Sequence, residues 1–236
     1  AFGASRDAPR AVRAPSARRP RACFDAQRAL TPARAHTLLL SSPNLFLFLS
    51  PSLPASSRSR IWYVNEERHL IKPAINPAVL EKMATSQLIV YGMGSIWTSI
   101  MPCLLLAGTG KAIAAHPGRK VLLLNSAVDR ESGDMDASAI IKALTTVIGT
   151  NEGSSTRDGF LPLLSLITDV LVPRATQIDV DYAKLRGLGL VVDVVESNDE
   201  GHFDPDGLVA KLISKCKEAP AAAMLSPHSR EVRRVV

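Results

Sequence analysis

From residue 60 onward the apolar positions fall into two kinds of block. Ile61–Val64, Gln87–Tyr91, Val121–Leu124, Val170–Val172 and Leu190–Val195 are short and almost continuously apolar, without polar alternation. Strands buried on both faces of a parallel sheet read this way. Between them lie stretches of helical character. Asn76-Pro77 and Asp204-Pro205 each place a capping side chain before a proline at the first helical position, which predicts helices over 78–83 and from 205 to about 216. Ala137, Ile140, Ile141, Leu144, Val147 and Ile148 recur at 3.6-residue spacing and predict a helix beginning near Met135. A helix starting at Thr98 or Ser99, with Pro102 in its first turn, runs to about Ala107. Gly108 and Gly110 break it, and a second piece reaches His116. The run 161–167 reads as helical, and Asp181–Leu188 as a short helix closing at Gly189. Five strand–helix alternations predict an α/β fold: a parallel Rossmann-like sheet with helices on both faces.

Residues 1–58 follow a different pattern. They are rich in Ala, Arg, Pro and Ser, and no apolar period persists. Such a segment buries too little apolar surface to offset its ordering entropy, so the expectation is a segment that is disordered or not normally translated. The apolar run Leu38–Leu49 is interrupted by Ser41, Ser42 and Pro43 and is too short to span a bilayer. The α/β domain is expected over 59–218, and the Ala-rich then basic stretch 219–236 as a frayed tail. The chain begins with Ala1 and its first methionine is Met83, which reads as a fragment or an extended gene model.

Charge changes the picture only when it is located. The net charge is +6, yet residues 1–60 carry ten Arg against Asp7 and Asp25, a balance of +8. The folded remainder is therefore near neutral at −2, and nucleic acid is not its expected partner. Three scattered cysteines, Cys23, Cys103 and Cys216, form no CxxC pair, which argues against a zinc site or a disulfide framework. Cys103, within an apolar run, is expected in the core. A reducing, cytoplasmic compartment fits, while the Arg- and Ser-rich, acid-poor residues 1–58 also fit an organelle transit peptide.

Two strand ends are unusually polar. In open parallel sheets, ligands bind outside the carboxyl ends of the strands. The first is Gly92-Met93-Gly94-Ser95, followed by Thr98 and Ser99. Glycines allow close backbone approach, helix-start amides favour an anion, and three hydroxyls stand at the same end. The reading is a phosphate or carboxylate cradle; the alternative is a tight turn with Ser and Thr as caps. The second is Asn125 through Asp134. Asn125 would orient a ligand, Arg130 would clamp a phosphate, and Asp129 and Glu131 would hold Mg²⁺ through oxygen. The alternative is a solvated loop whose acids cap the next helix. Gly108-Thr109-Gly110-Lys111 lacks the phosphate-loop spacing and a preceding strand. The histidines are scattered, and no nucleophilic triad is discernible.

Taken in order, Ile61-Trp62-Tyr63-Val64-Asn65, Pro77-Ala78-Val79-Leu80, Leu88-Ile89-Val90-Tyr91-Gly92-Met93-Gly94-Ser95, Thr98-Ser99-Ile100-Met101-Pro102, Leu124-Asn125 and Val170-Leu171-Val172-Pro173 resemble the 2-phospho-L-lactate transferase (CofD-like) family, and especially its uncharacterised eukaryotic branch. The resemblance covers roughly 59–215. It implies a Rossmann-like core. It also implies transfer of a phospholactyl-type group from a guanosine diphosphate-linked donor to a hydroxyl acceptor, with Mg²⁺. A bacterial branch of the family instead acts as a gluconeogenesis and cell-envelope factor that binds nucleotide-sugars, so a nucleotide-sugar-binding regulatory protein without turnover is the second expectation. On the transferase expectation, Asp129 and Glu131 are the catalytic and metal residues. Gly92, Gly94, Ser95, Thr98, Ser99, Asn125 and Arg130 are the ligand residues. The partner is a nucleotide-linked phosphorylated small molecule, with neither nucleic acid nor membrane involved and a homodimer compatible. The family's first Gly-Gly-rich strand turn has no counterpart in 1–58, so the sheet is expected to be incomplete and the chain inactive or only partly folded as it stands.

Overall fold

The structure is a computed structural model and describes residues 36–39, 46–49, 61–129, 131–151 and 162–218. The expected tail 219–236, the loop 152–161 and Arg130 lie outside the described residues. The element order is β1 (His36–Leu39), β2 (Phe46–Leu49), β3 (Ile61–Val64), β4 (Leu70–Ile71), α1 (Pro77–Thr85) and β5 (Leu88–Tyr91). A π-helical turn, Ile96–Ile100, then runs directly into α2 (Met101–Leu104). There follow α3 (Thr109–Ala115), β6 (Arg119–Leu123), α4 (Ala137–Asn151), α5 (Leu163–Leu166), β7 (Asp169–Pro173), α6 (Tyr182–Gly187), β8 (Val191–Val195) and α7 (Pro205–Lys217).

Four of the five expected strands form the parallel sheet, in the order β5-β6-β7-β8, with Val90 beside Val121, Leu122 beside Val170 and Leu171 beside Asp193. The two faces separate by the two-residue period of a strand. Leu122, Leu124, Val170 and Val172 enter a large core with Trp97, Met101, Ile113, Leu144, Ile148, Leu166 and Leu185. Val121, Leu123 and Leu171 enter a second cluster, closed by Phe203 and by Leu208 and Leu212 of α7. Both faces are thus covered, as continuously apolar strands require. On α4 the apolar stripe read from the sequence is buried, with Leu144, Val147 and Ile148 no more than 1% exposed. Each such side chain contributes about 1.5–3 kcal/mol relative to exposure.

The fifth strand departs from expectation. β3 is not in the parallel sheet; it pairs antiparallel with β2 and β4 in a second sheet, β1-β2-β3-β4. Ile61 and Tyr63 still reach the main core, and the Tyr63 hydroxyl donates to the Pro102 carbonyl at 2.9 Å. β1 and β2 lie inside the segment expected to lack structure. Four-residue strands are too short to show a sustained apolar period, and these two are held by pairing with the next strand along the chain. Local periodicity therefore misses them.

The caps behave as read. The Asn76 side chain accepts from the Ala78 amide and the Asp204 side chain from the Gly207 amide. Gly108 separates α2 from α3 with φ +96°, whereas Gly110 lies inside α3 rather than breaking it. Cys103, expected in the core, is exposed.

β5 and β8 are the two edges of the parallel sheet. Asp193 on β8 pairs with Lys215 at 2.9 Å and Lys211 at 3.7 Å. β5 carries no charge along Leu88–Tyr91, and Val90 and nearby Met93 are 39% and 51% exposed. Among the described residues no helix is long and apolar enough to cross a membrane.

Candidate functional site

At the carboxyl ends of β5 and β6 the two polar loops meet. The Asn125 side chain, just past β6, holds Gly94 from both sides: the Gly94 amide donates to Asn125 Oδ1 at 3.2 Å, and Asn125 Nδ2 donates to the Gly94 carbonyl at 2.9 Å. A carboxamide is suited to this, carrying one acceptor and two donors on a single planar group. Gly94 has φ +137°, a conformation open to glycine and strained for other residues. A second contact lies alongside. The Ser95 hydroxyl and the Thr98 hydroxyl, the latter at 2.9 Å, both donate to Glu131 Oε2.

The acidic loop is folded on Asp129. The Glu131 amide donates to Asp129 Oδ1 at 3.1 Å, and the Ser132 and Gly133 amides to the Asp129 carbonyl at 3.0 and 3.1 Å. Asp129 Oδ2 is buried without a hydrogen-bond partner, a costly state for a carboxylate oxygen. Asp136 caps α4, accepting from the Ala139 amide at 2.6 Å; this acid lies beyond the Asn125–Asp134 loop to which the cap reading applies. α4 begins at Ala137 instead of near Met135.

Gly94, Ser95, Thr98, Asn125, Asp129 and Glu131 therefore form one connected group. Gly92 and Ser99 face elsewhere, into a cavity of about 460 Å³ lined also by Tyr91, Met93, Cys103 and apolar side chains of α1 to α3. Arg130 lies outside the described residues. Two features differ from the anion cradle expected of this turn. The amides of Gly94 and Ser99 do not converge on a common ligand space: the first is taken by Asn125, and the second donates to the Ser95 carbonyl at 2.9 Å. The hydroxyls of Ser95 and Thr98 donate to Glu131, because a carboxylate is a stronger acceptor than water or a neutral group. The side of the turn that stays open carries Gly92, where an added Cβ would meet nothing within 4 Å, and the exposed Ser99.

The sequence did not flag Thr176. It lies just past β7, and its hydroxyl donates to the Asn125 carbonyl at 2.9 Å. Its only signal is its place at a third polar strand end, after Pro173. Among the described residues no group of three or more His, Cys, Asp or Glu side chains is arranged to hold a metal ion.

An uncharacterised protein of Saccharomyces cerevisiae (strain ATCC 204508 / S288c) is 30% identical to this chain over 140 residues, which is 56% of this chain and 31% of that protein. Two solved structures of a Bacillus halodurans protein, a member of the UPF0052 family, match with TM-scores of 0.46 and 0.47 and identities of 21% and 20%. Each match covers 70% of this chain, and 50% and 49% of the solved chains. The chain thus spans about a third of its yeast relative and half of these structures. The family model for 2-phospho-L-lactate transferase CofD matches residues 55–201, a range that takes in β3 through β8 and both polar strand ends, and the chain accordingly belongs to the CofD family.

Proposed function

We propose that the edge formed by Gly92–Ser99 and Asn125–Ser132 is the ligand edge of a CofD-type transferase. It would move a phosphorylated, phospholactyl-type group from a nucleotide-linked donor to a hydroxyl acceptor. The observation that carries this reading is the union of the two loops at adjacent strand ends, where open α/β sheets bind ligands; Gly92 and Ser99 of the first loop also line the mainly apolar cavity of about 460 Å³. Gly92 and Ser99 would meet the ligand, and Asn125 would fix the turn they belong to. Transfer of this kind depends on positioning and charge neutralisation and needs no protein nucleophile.

Mg²⁺ fits the acidic loop at one point. The buried, unpartnered Asp129 Oδ2 is the oxygen a hard cation would take. Mg²⁺ usually keeps several waters and shares ligand phosphates, so one or two carboxylates suffice. Bound there, the ion would neutralise phosphate charge. Glu131 would support it through the loop while holding Ser95 and Thr98.

A second reading is a nucleotide-sugar sensor without turnover. It is favoured by one observation: the Glu131 carboxylate is already engaged by two hydroxyls of the neighbouring turn, a structural role. Calorimetry with guanosine diphosphate and Mg²⁺, together with phosphorus NMR of a guanosine diphosphate-linked donor, separates the two. For the transferase, Asp129→Asn keeps nucleotide binding and loses Mg²⁺-dependent turnover by at least tenfold. Binding without turnover in the unaltered chain selects the sensor. No binding of nucleotide by the unaltered chain overturns both.

A further inference from the structure

The loop that carries Asp129 and Glu131 leaves β6 at Asn125 and re-enters regular structure at Ala137. One short segment following β7 grips it at both ends. At the outgoing end, the Thr176 hydroxyl donates to the Asn125 carbonyl at 2.9 Å, and the Gln177 amide donates to the Ser126 carbonyl at 2.7 Å. At the returning end, the Ala137 amide donates to the Asp179 carbonyl at 2.9 Å. The segment is itself fixed. The Ile178 amide donates to Thr176 Oγ1 at 3.1 Å, and Ile178 is 6% exposed within the main core.

We infer that Thr176 is a positioning residue for the candidate site, acting through Asn125 on the Gly94 turn. Its hydroxyl both donates and accepts, so its direction is set by the amide of the buried Ile178 on one side and by the Asn125 carbonyl on the other. Asn125 passes this placement to Gly94 by its two side-chain hydrogen bonds. Three consecutive strand ends are thereby connected: those of β6 and β7 by the Thr176 hydroxyl beside the Gln177–Ser126 backbone bond, and those of β5 and β6, whose last ladder partners are Tyr91 and Leu122, by the Asn125 side chain. Thr176 need not touch the ligand. Its consequence for binding rests on the ligand edge proposed above, whereas its effect on Gly94 does not.

The test is amide hydrogen exchange at Gly94 in the full chain, read by NMR, in Thr176→Val and Thr176→Ser. Valine keeps the shape and removes the hydroxyl; serine keeps the hydroxyl. Loss of one ordering hydrogen bond is expected to speed Gly94 exchange on the order of tenfold in Thr176→Val, with Thr176→Ser restoring the original rate and Gly94 chemical shift. Amides of β7 should keep their protection, which a general loss of stability would not permit. Unchanged Gly94 exchange in a folded Thr176→Val overturns the assignment. If the valine variant does not fold, a Thr176→Ser chain whose Gly94 resonance departs from the original does the same. Guanosine diphosphate titrated into the same samples should bind severalfold more weakly to Thr176→Val. If it binds to none of them, the ligand proposal fails and the exchange data alone judge Thr176.

Discussion

Gly92 and Gly94 stand two residues apart, and their surroundings assign them different duties. At Gly94 the backbone has φ +137°, and an added Cβ would lie 3.3 Å from Ser99 Cβ. Gly94→Ala is therefore expected to destabilise the fold by about 1–3 kcal/mol, measured by urea unfolding. At Gly92 an added Cβ meets open space, so Gly92→Ala should leave stability within about 1 kcal/mol. It would place a methyl at the cavity wall and weaken ligand binding. A Gly92 variant that loses as much stability as the Gly94 variant would contradict this division. The GxGS pattern did not reveal the difference, because it depends on what the chain 31 residues after Gly94, at Asn125, brings to the turn. The same limit applies to the hydroxyls. Ser95 and Thr98 were recognisable as polar groups at a strand end, but their acceptor, Glu131, comes from another loop.

The opposite end of the sheet shows how the elements are fastened. Arg119 opens β6 and Asp169 opens β7. The guanidinium meets the carboxylate with two hydrogen bonds, of 2.8 and 2.7 Å, and Lys215 of α7 adds a third contact at 2.9 Å. All three side chains are 3% exposed or less. Burial pushes the Asp169 carboxyl up, but hydrogen bonds from Arg119, Thr168 and Lys215 outweigh it, so its pKa lies below the ordinary carboxylate value. Burial pulls Lys215 down, and its bonds to Asp193 and Asp169 carry it above the ordinary lysine value. The signs set the pH window. Asp169 contributes stability that is complete above its unfolded pKa of about 3.9 and is lost as pH falls through the lower folded value. Lys215 contributes stability that is complete below about pH 10.4 and is lost as pH rises through the higher folded value. Asp169→Asn removes the carboxylate shared by Arg119 and Lys215 but leaves them Glu218, and Lys215 also Asp193, so it should cost about 1.5–3 kcal/mol at neutral pH. It should also flatten the acid limb of a thermal-melt series. An unchanged acid limb would mean that other carboxylates govern acid unfolding.

At this scale much of the architecture was legible. The four parallel strands, the caps at Asn76 and Asp204, and the buried stripe of α4 all follow from local pattern and cap chemistry. The assignment of β3 to a different sheet was not legible, since Ile61–Val64 is apolar on both faces whether its neighbours run parallel or antiparallel. The π-helical turn at Ile96–Ile100 was also missed; the sequence suggested a helix starting two or three residues later.

For the whole molecule, ligand binding should appear as stability. A nucleotide that binds only the folded chain adds RT ln(1 + [L]/Kd), about 2.7 kcal/mol at one hundred times Kd. For a chain of this size that corresponds to a rise of roughly 5–10 °C in Tm. Guanosine diphosphate with Mg²⁺ should produce it, and Mg²⁺ alone should produce less. An equal shift with adenosine diphosphate would place recognition in the phosphates and not the base. No shift with either nucleotide would remove the ligand edge from consideration.

The parallel sheet also has unequally guarded margins. Along β8, Asp193 and its lysine partners make the approach of another strand electrostatically costly, a common defence of sheet edges. Leu88–Tyr91 has no such guard, and Val90 and Met93 lie open beside it. Among the described residues, backbone approaching β5 would therefore meet no charged side chain, whereas backbone approaching β8 would meet Asp193 and its lysines beside the equally exposed Val194.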